Sequence, residues 1–445
     1  MNTPDDLLRS HARGAAGYEP ARRATMWNAR VPDRFPDVIV QARDVYDVVA
    51  AVKRARREGL RVGVRSGGHS WAGNHVRDGG MLLDVSRLDA VTVDAAAMRA
   101  TTGPGRAGHQ LAAMLSREGL FFPTGHCEGV CVGGYLLQGG FGWNSRALGP
   151  ACASVEAVDV VTADGELVRA SAAENPELYW AARGAGPGFF GVVTRFHLRA
   201  HPKPGVVGFA LQSYPLSMME EVFRWARAVG PEVPASVELQ LLMTPRAVMV
   251  GGPGVEVFAP VFADGVRDAL RDLAFMASSP CKPRAALSVP FAPSTLGMMY
   301  RAVMSHYPAR HRYAVDNLWT HASIDELLPG LRSIAATMPP APSHMLWLNW
   351  APPPSRPDMA FSVEDEVYIA LYGGWRHASD DHRHASWAVD RVREMEPLAT
   401  GCQLADENLG QRPARFVSEA NLARLDRARA AYDPDGRFHP WMGRL

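Results

Sequence analysis

The fold is decided by one short stretch, Val64-Arg65-Ser66-Gly67-Gly68-His69-Ser70. Upstream of it, apolar residues at helical spacing follow the capping residue Asp44 and end at Gly59, and residues 61–64 then have the pattern of a strand. The two glycines leave backbone N–H groups unblocked, so that the loop can surround a phosphate. Taken alone, the stretch is equally typical of an ordinary turn in which His69 lies at the surface.

The stretch differs from the phosphate loops of two large enzyme classes. Its spacing is not G-x-G-x-x-G, and no acidic residue has the downstream position that binds a ribose, so a nicotinamide Rossmann site is disfavoured. The chain has only three lysines, and none lies in a G-K-[ST] setting. A Walker-type loop is therefore excluded, and hydrolysis of nucleoside triphosphates is not expected.

A second glycine-rich segment covers residues 125–149. It contains Gly-His-Cys-Glu-Gly-Val-Cys-Val-Gly-Gly from Gly125 and Gly-Gly-Phe-Gly from Gly139. So many glycines suit a backbone that closely follows a planar or extended ligand. Cys127 and Cys131 lack the paired spacing of zinc ligands, so we expect no metal there. Burial as small hydrophobic residues is an alternative role for both cysteines.

Composition limits the possible partners. The 445 residues carry 47 basic and 46 acidic side chains, and this balance lacks the signature of a nucleic-acid binder or a polybasic membrane anchor. No apolar run approaches the roughly 20 residues that span a bilayer. Five unevenly spaced cysteines argue against a disulfide framework, and the acidic start does not resemble a signal peptide. We therefore expect a cytoplasmic protein with a small-molecule partner, and neither nucleic acid nor membrane.

The pattern of elements changes near Pro202 and Pro204. Before this point the predicted strands are short, and residues 155–162 and 167–170 flank an Asp-Gly turn that predicts a hairpin. After it, longer units of strand and helix alternate up to about residue 400. This part of the chain therefore predicts an α+β domain with helices on one face of its sheet.

Together the two glycine-rich segments resemble the berberine bridge enzyme-like flavoproteins. The similarity extends to Phe-Gly-Val-Val-Thr at residues 190–194 and to Tyr-Asp-Pro-Asp-Gly-Arg-Phe at residues 432–438. The resemblance implies an α+β fold of the vanillyl-alcohol-oxidase type. In this fold a bipartite FAD-binding domain, here residues 1–203 and 401–445, encloses an inserted substrate domain, here residues 204–400, whose antiparallel sheet is covered by helices.

The resemblance also implies that FAD is held by two covalent bonds. By motif, His69 corresponds to the histidine bonded to the flavin 8α-methyl group, and Cys127 to the cysteine bonded to C6. Cys131 falls where the family usually has glycine, and it stays an alternative thioether partner. Such bonds retain the cofactor and make it a stronger oxidant. The other cofactor-binding positions that the resemblance implies are Arg65, Ser66, Gly67, Gly68, Ser70, Val130, Val132, Gly133, Gly134, Gly139, Gly140, Gly142, Asn144, Gly191, Val192 and Val193.

Val130 corresponds to a family position beside the flavin edge. In the family, a small residue there goes with reaction of the reduced flavin with O2. The resemblance therefore favours an oxidase that releases H2O2 over a dehydrogenase. Simple core packing is an alternative role for Val130.

The catalytic base is the point at which this chain departs from the family. Relatives often carry Y-x-N-Y in the segment that returns to the flavin domain, whereas residues 401–408 here read Gly-Cys-Gln-Leu-Ala-Asp-Glu-Asn. Because hydride loss from an alcohol or amine carbon needs a proton acceptor, we expect Asp406 or Glu407 to be the base. Strand alternation places Tyr368 and Tyr372 on one face, either toward the flavin, where a tyrosine is the alternative proton acceptor, or in ordinary sheet packing.

The sequence thus predicts an FAD-dependent oxidase that acts on an alcohol, a sugar or a secondary metabolite. Trp347, Asn349 and Trp350 lie on a predicted strand and could line its pocket. Two alternatives stay open: a dehydrogenase with the same flavin but another electron acceptor, and a flavin-loaded binding protein without turnover. Neither the natural substrate nor the oligomeric state follows from the sequence.

Overall fold

Two small sheets, a two-stranded sheet and one large sheet organise the chain in the computed structural model, which describes residues 8–352 and 355–443. The strands are β1 (Ser10–Ala12), β2 (Val38–Gln41), β3 (Val62–Arg65), β4 (Met81–Asp84), β5 (Val91–Asp94), β6 (Arg99–Thr102), β7 (Leu120–Phe121), β8 (Val155–Val161), β9 (Leu167–Ser171), β10 (Val192–Arg199), β11 (His201–Pro202), β12 (Val206–Pro215), β13 (Gln240–Thr244), β14 (Gly254–Ala263), β15 (Leu287–Pro293), β16 (Arg312–Thr320), β17 (His344–Asn349) and β18 (Val367–Trp375).

Thirteen α-helices connect these strands within the described residues. They are α1 (Tyr18–Ala24), α2 (Val45–Arg57), α3 (Gly108–Arg117), α4 (Val132–Leu137), α5 (Ser145–Leu148), α6 (Pro176–Ala181), α7 (Met219–Val229), α8 (Val266–Asp272), α9 (Leu296–Met304), α10 (Ile324–Thr337), α11 (Asp381–His384), α12 (Trp387–Glu394) and α13 (Glu419–Tyr432). None of the helices in the described ranges is long and apolar enough to cross a membrane.

The two small sheets lie in the first 200 residues. The first has the strand order β1-β2-β4-β3, with β2, β4 and β3 parallel, and α2 packs against it after Asp44 caps the helix through the backbone N–H groups of Tyr46 and Asp47. The second has the order β5-β6-β10-β8-β9 and is antiparallel. The predicted hairpin is confirmed as β8–β9, with Gly165 at φ +78° in its turn.

The large sheet is antiparallel throughout, in the order β15-β12-β14-β13-β17-β18-β16. Alternate side chains on its strands join one core with α7, α8, α10 and α12. The helices therefore cover one face, as the sequence predicts for an α+β domain. The opposite face packs against α9 and against residues of the two glycine-rich segments.

The C-terminal segment returns to the first part of the chain. Phe438 is 2% exposed and forms a parallel bridge with Val62 of β3. Leu404 and Leu425 join the core that contains the second small sheet. A buried ion pair between Arg412 and Asp316, 2.7 Å apart, also ties this segment to the large sheet.

Candidate functional site

A cavity of ≈ 640 Å³ lies between the glycine-rich loops and the face of the large sheet on which α9 packs. Residues 62–71, together with residues between 125 and 141, form one wall. Side chains of β13, β14, β17, β18 and α9 form the other wall, and Asp406 and His439 of the C-terminal segment also line the cavity. Segments far apart in sequence thus meet around one space.

The first glycine-rich loop offers free backbone donors to this cavity. For the N–H groups of residues 67–70, no protein acceptor is found in the described part of the chain. Gly68 has φ +71°, and a Cβ there would lie 2.0 Å from the carbonyl oxygen of Thr25, so only glycine fits. Arg65 forms an ion pair with Asp84 at 2.9 Å, which fixes the end of β3. Such a run of N–H groups is typical of a loop that binds a phosphate.

His69 is half-buried at the cavity wall. Its ring stacks on Trp27, with 5.3 Å between the ring centroids. Burial, reinforced by the positive charge of Arg65, lowers the pKa of His69 to about 4. The imidazole is therefore neutral at physiological pH, and one ring nitrogen keeps its lone pair.

Cys127 and Cys131 both line the cavity but have different neighbours. Cys127 packs with the aromatic cluster of Tyr307 and Tyr313. Burial, and secondarily the Asp406 carboxylate, raise the pKa of the Cys127 thiol to about 12. The Sγ of Cys131 instead donates to the carbonyl oxygen of Gly105 at 3.1 Å and lies beneath the first loop. Cys127 is therefore the cysteine on the side of Asp406.

The remaining positions that the sequence predicts to bind the cofactor fall into two groups. Those that line the cavity are Arg65, Ser66, Gly67, Gly68, Ser70, Val130, Gly133, Gly134, Gly140, Gly191 and Val193. Val132, Gly139, Gly142, Asn144 and Val192 are not among the lining residues, contrary to expectation. The two valines are buried in hydrophobic cores. Gly139 leaves room for the Phe361 ring, and Gly142 leaves room for the Thr124 carbonyl group. The Asn144 backbone N–H donates to Glu238.

Asp406 is held by three donors. Its Oδ1 accepts a hydrogen bond from the Trp71 indole at 2.6 Å, and its Oδ2 accepts from the hydroxyls of Tyr368 at 2.6 Å and Tyr372 at 2.9 Å. Burial and the Asp406 charge raise the pKa of both tyrosines well above their usual value, so they stay protonated donors. An indole can only donate, so Oδ1 of Asp406 is an acceptor in this arrangement.

Glu407 points away from the cavity, which disfavours it as the base. It is 3% exposed, and its carboxylate accepts hydrogen bonds from the Asn74 side chain and from the Leu409 backbone N–H. Burial raises the pKa of its carboxyl group. Its contacts connect the C-terminal segment to the loop that follows Ser70.

Three further residues expected near the pocket lie elsewhere. Trp347 and Asn349 face the helices: the Trp347 indole donates to Asn349 Oδ1 at 2.8 Å, and the Asn349 amide donates to a carbonyl of α7. Trp350 is 1% exposed and packs edge-on against Phe141, at 4.4 Å between centroids. On β17 the alternation instead turns His344, Leu346 and Leu348 toward the cavity.

Sequence reasoning missed most of the aromatic wall. Trp71 directly follows the first motif, but no local pattern distinguishes it as a partner of Asp406. Tyr307 and His344 lie on different elements, with 3.2 Å between the Tyr307 hydroxyl and His344 Nε2. His344 also stacks on Tyr372 at 4.7 Å. Strand pairing brings these residues together, and strand pairing is not readable from local periodicity.

A polar link next to Cys127 also went unpredicted. The Nε2 of His126 lies 2.9 Å from Glu238 Oε2, which also accepts from the Gln240 amide at 3.0 Å. Glu238 is 2% exposed and precedes β13. This link joins the second glycine-rich segment to the large sheet.

Two buried donors in the cavity wall lack protein partners. The Nε2 atoms of Gln403 and His439 have no hydrogen-bond partner among the described residues, and both residues line the cavity. Buried polar groups in folded proteins are nearly always paired. These atoms and the free N–H groups of the first loop therefore indicate a polar ligand.

Comparison with known proteins agrees with this geometry. A family profile described as FAD binding domain matches residues 36–171. The FAD-linked oxidoreductase nodO of Hypoxylon pulicicidum is 32% identical over 428 residues, which cover 95% of this chain and 94% of that protein. The xylooligosaccharide oxidase of Thermothelomyces thermophilus is 40% identical over 195 residues, 41% of this chain and 39% of that protein. The solved structure of BBE-like 1 from Physcomitrella patens matches with a TM-score of 0.85 at 20% identity, over 97% of this chain and 96% of that one.

Proposed function

Since this chain belongs to the berberine bridge enzyme-like family of FAD-dependent oxidoreductases, we propose that it is an oxidase whose FAD, bonded to His69 and Cys127, takes a hydride from an organic substrate and passes the electrons to O2. The observation that carries this proposal is the meeting of His69, Cys127 and Asp406 at one cavity. In this assignment, the chain itself binds and orients the reactants and removes the substrate proton.

The polar wall of the cavity fits FAD. The N–H groups of residues 67–70 suit a pyrophosphate, because phosphate oxygens accept hydrogen bonds from such loops. Gln403 and His439 offer two buried donors that have no partner among the described residues. These residues would hold the polar parts of the cofactor.

The surroundings of the two cysteines support attachment at Cys127. Cys127 shares the aromatic cluster next to Asp406, whereas Cys131 bonds to Gly105 beneath the first loop. The neutral imidazole of His69 keeps a lone pair for the second bond. Val130 lines the same cavity, and the small side chain at this position supports O2 as the electron acceptor.

We assign Asp406 as the catalytic base. Tyr368 and Tyr372 occupy Oδ2, whereas Oδ1 has one protein donor, the Trp71 indole. A carboxylate oxygen accepts two hydrogen bonds, so Oδ1 can still accept the proton of a substrate O–H or N–H group. The three protein donors hold the carboxylate in one orientation, which suits a positioned base.

The assignment is tested by anaerobic reduction of the holoenzyme with a panel of alcohols, sugars and amines. A substrate should bleach the flavin, and Asp406→Asn should slow the bleaching by about a hundredfold or more. Asp33→Asn changes an exposed acid and should leave the rate unchanged. Reduction of Asp406→Asn at the wild-type rate would remove Asp406 from the mechanism.

The electron acceptor is tested separately by reoxidation of photoreduced holoenzyme. We expect rapid reoxidation in air, with one H2O2 released per flavin. Slow reoxidation in air together with rapid reoxidation by an added quinone would identify a dehydrogenase instead. If no compound of the panel bleaches the flavin, the binding protein without turnover becomes the better description.

A further inference from the structure

Beyond the aromatic wall around Asp406, the cavity continues as a slot between the large sheet and α9. The sheet side of the slot is formed by inward-facing residues of neighbouring strands, among them Leu211, Leu242, Phe258, Leu346 and Leu348. The helix side is formed by Met298, Met299, Ala302 and Val303. Methionine side chains adapt to ligands of irregular shape. The slot therefore suits an apolar body.

One acidic side chain interrupts this apolar slot. The strand register places Ala370, Leu346, Leu242 and Glu256 directly opposite one another on β18, β17, β13 and β14. Strands in a sheet lie about 4.8 Å apart, so Glu256 lies about 14 Å from β18, the strand that carries the two tyrosines bonded to Asp406. Glu256 is thus remote from the reaction centre but lines the same cavity.

The carboxylate of Glu256 is only partly satisfied by the protein. It is 7% exposed, and its Oε1 accepts one hydrogen bond, from the Val248 backbone N–H at 2.9 Å. Among the described residues, no Lys, Arg or His forms an ion pair with it. A buried carboxylate is costly unless it is paired. Burial accordingly raises the pKa of the Glu256 carboxyl group.

We propose that the substrate carries a protonated amine that pairs with Glu256, joined by an apolar body to the carbon that is oxidised near Asp406. The proposal rests on the oxidase function and names its substrate class. A protonated amine supplies the charge that Glu256 lacks. A sugar is a poorer match, because the leucine, phenylalanine and methionine side chains offer its hydroxyls no hydrogen-bond partner, and the polar residues Gln240, Ser294 and His306 that also line the cavity are fewer than the apolar ones.

Binding of matched probes to the holoenzyme tests this proposal without turnover. The probes are phenylethylamine, phenylbutylamine and phenylhexylamine, each compared with the alcohol of the same length and with xylobiose. Tryptophan fluorescence reports binding, and flavin absorbance is recorded in parallel. We expect the longest amine to bind about tenfold or more tightly than its alcohol, because a hydrogen bond to a charged group is stronger than a neutral one. Xylobiose should bind weakest.

Two variants test whether the Glu256 carboxylate causes the preference for amines. Glu256→Gln keeps the shape and an acceptor for Val248, so the fold should persist and the amine should bind no better than the alcohol. Glu232→Gln changes an exposed acid of the same domain and should keep the preference. Retention of the preference in Glu256→Gln would overturn the assignment.

Two outcomes with the wild-type protein would also overturn it. These are equal affinity for amine and alcohol at every length, and tightest binding of xylobiose. Neither outcome depends on catalysis. Failure of the oxidase function would appear separately, as an amine that binds without bleaching the flavin under anaerobic conditions.

Discussion

Neighbouring residues of the same type have different roles at this site. Asp406 and Glu407 are adjacent acids, yet Asp406 faces the cavity and Glu407 is buried against Asn74 and Leu409. The cause is local: the 3-10 turn Leu404–Asp406 ends at Asp406, and Glu407 begins extended backbone at ψ 157°. Burial alone therefore does not identify the catalytic base. The direction in which the side chain points decides which of the two acids reaches the cavity.

Cys127 and Cys131 allow a prediction at the same scale. Cys127→Ala should leave flavin bonded to His69 alone, because Cys131 is held by Gly105 beneath the first loop. Cys131→Ala should keep both bonds. Mass spectrometry of the peptides that contain the three residues, with the visible spectrum of each variant, measures the outcome. Loss of the thioether in Cys131→Ala, with retention in Cys127→Ala, would reverse the assignment.

At the scale of single elements, neighbouring side chains of β13 point to opposite faces of the sheet, so one contributes to the core and the next to the cavity. Leu241 is fully buried against the helices, whereas its neighbour Leu242 faces the cavity. Leu241→Ala should lower the free energy of unfolding by about 2–5 kcal/mol, because it leaves a cavity in a packed core. Leu242→Ala should lower the free energy of unfolding clearly less than Leu241→Ala does, and it should weaken the binding of apolar ligands. Urea unfolding measures the free energy of unfolding of both variants. An equal loss of stability in the two variants would contradict this strand register.

Elements with local signals were predictable from the sequence. The Asp44 cap and Gly59 bracket α2, and the Asp-Gly turn gives the β8–β9 hairpin. No prediction was made for β13 or for α9, which contributes three methionines to one side of the slot. The periodicity of such short segments is weak, and their packing against the sheet and the glycine-rich loops decides their structure.

The site itself was predictable only in part, for a related reason. Motifs identified His69, Cys127 and the glycines near them, because these residues are close together in sequence. Trp71, Tyr307 and His344 meet Asp406 only after β16, β17 and β18 pair and the C-terminal segment returns. The separations along the chain run from 37 positions for Tyr307 and His344 to 335 for Trp71 and Asp406, and one sequence carries no local signal for such contacts.

At the scale of the whole molecule, the buried histidines couple stability to pH. Burial, with help from the positive charge of Arg65, lowers the pKa of His75 to about 3, and its Nε2 contacts the carbonyl oxygen of Thr25 at 3.1 Å. In the unfolded chain the pKa of a histidine is about 6.5. Between these values the unfolded chain binds a proton that the folded protein does not. The contribution of neutral His75 to the stability of the folded protein is therefore complete above about pH 6.5 and is lost as the pH falls toward 3.

His75→Asn should consequently flatten the fall in stability on acidification, by up to about 1.4 kcal/mol per pH unit between pH 6 and pH 4. The measurement is urea unfolding of both proteins across this range, and the slope is compared because the substitution also changes absolute stability. His321→Asn is the opposite case: the Asp365 carboxylate raises the pKa of His321, so this histidine stabilises the protein at low pH and loses its effect as the pH rises. Below pH 6.5 both the folded and the unfolded chain bind this proton, so its removal should leave the slope between pH 6 and pH 4 unchanged and should make stability fall less as the pH rises above 6.5. An unchanged slope in His75→Asn would mean that the buried ring is already protonated in the folded protein.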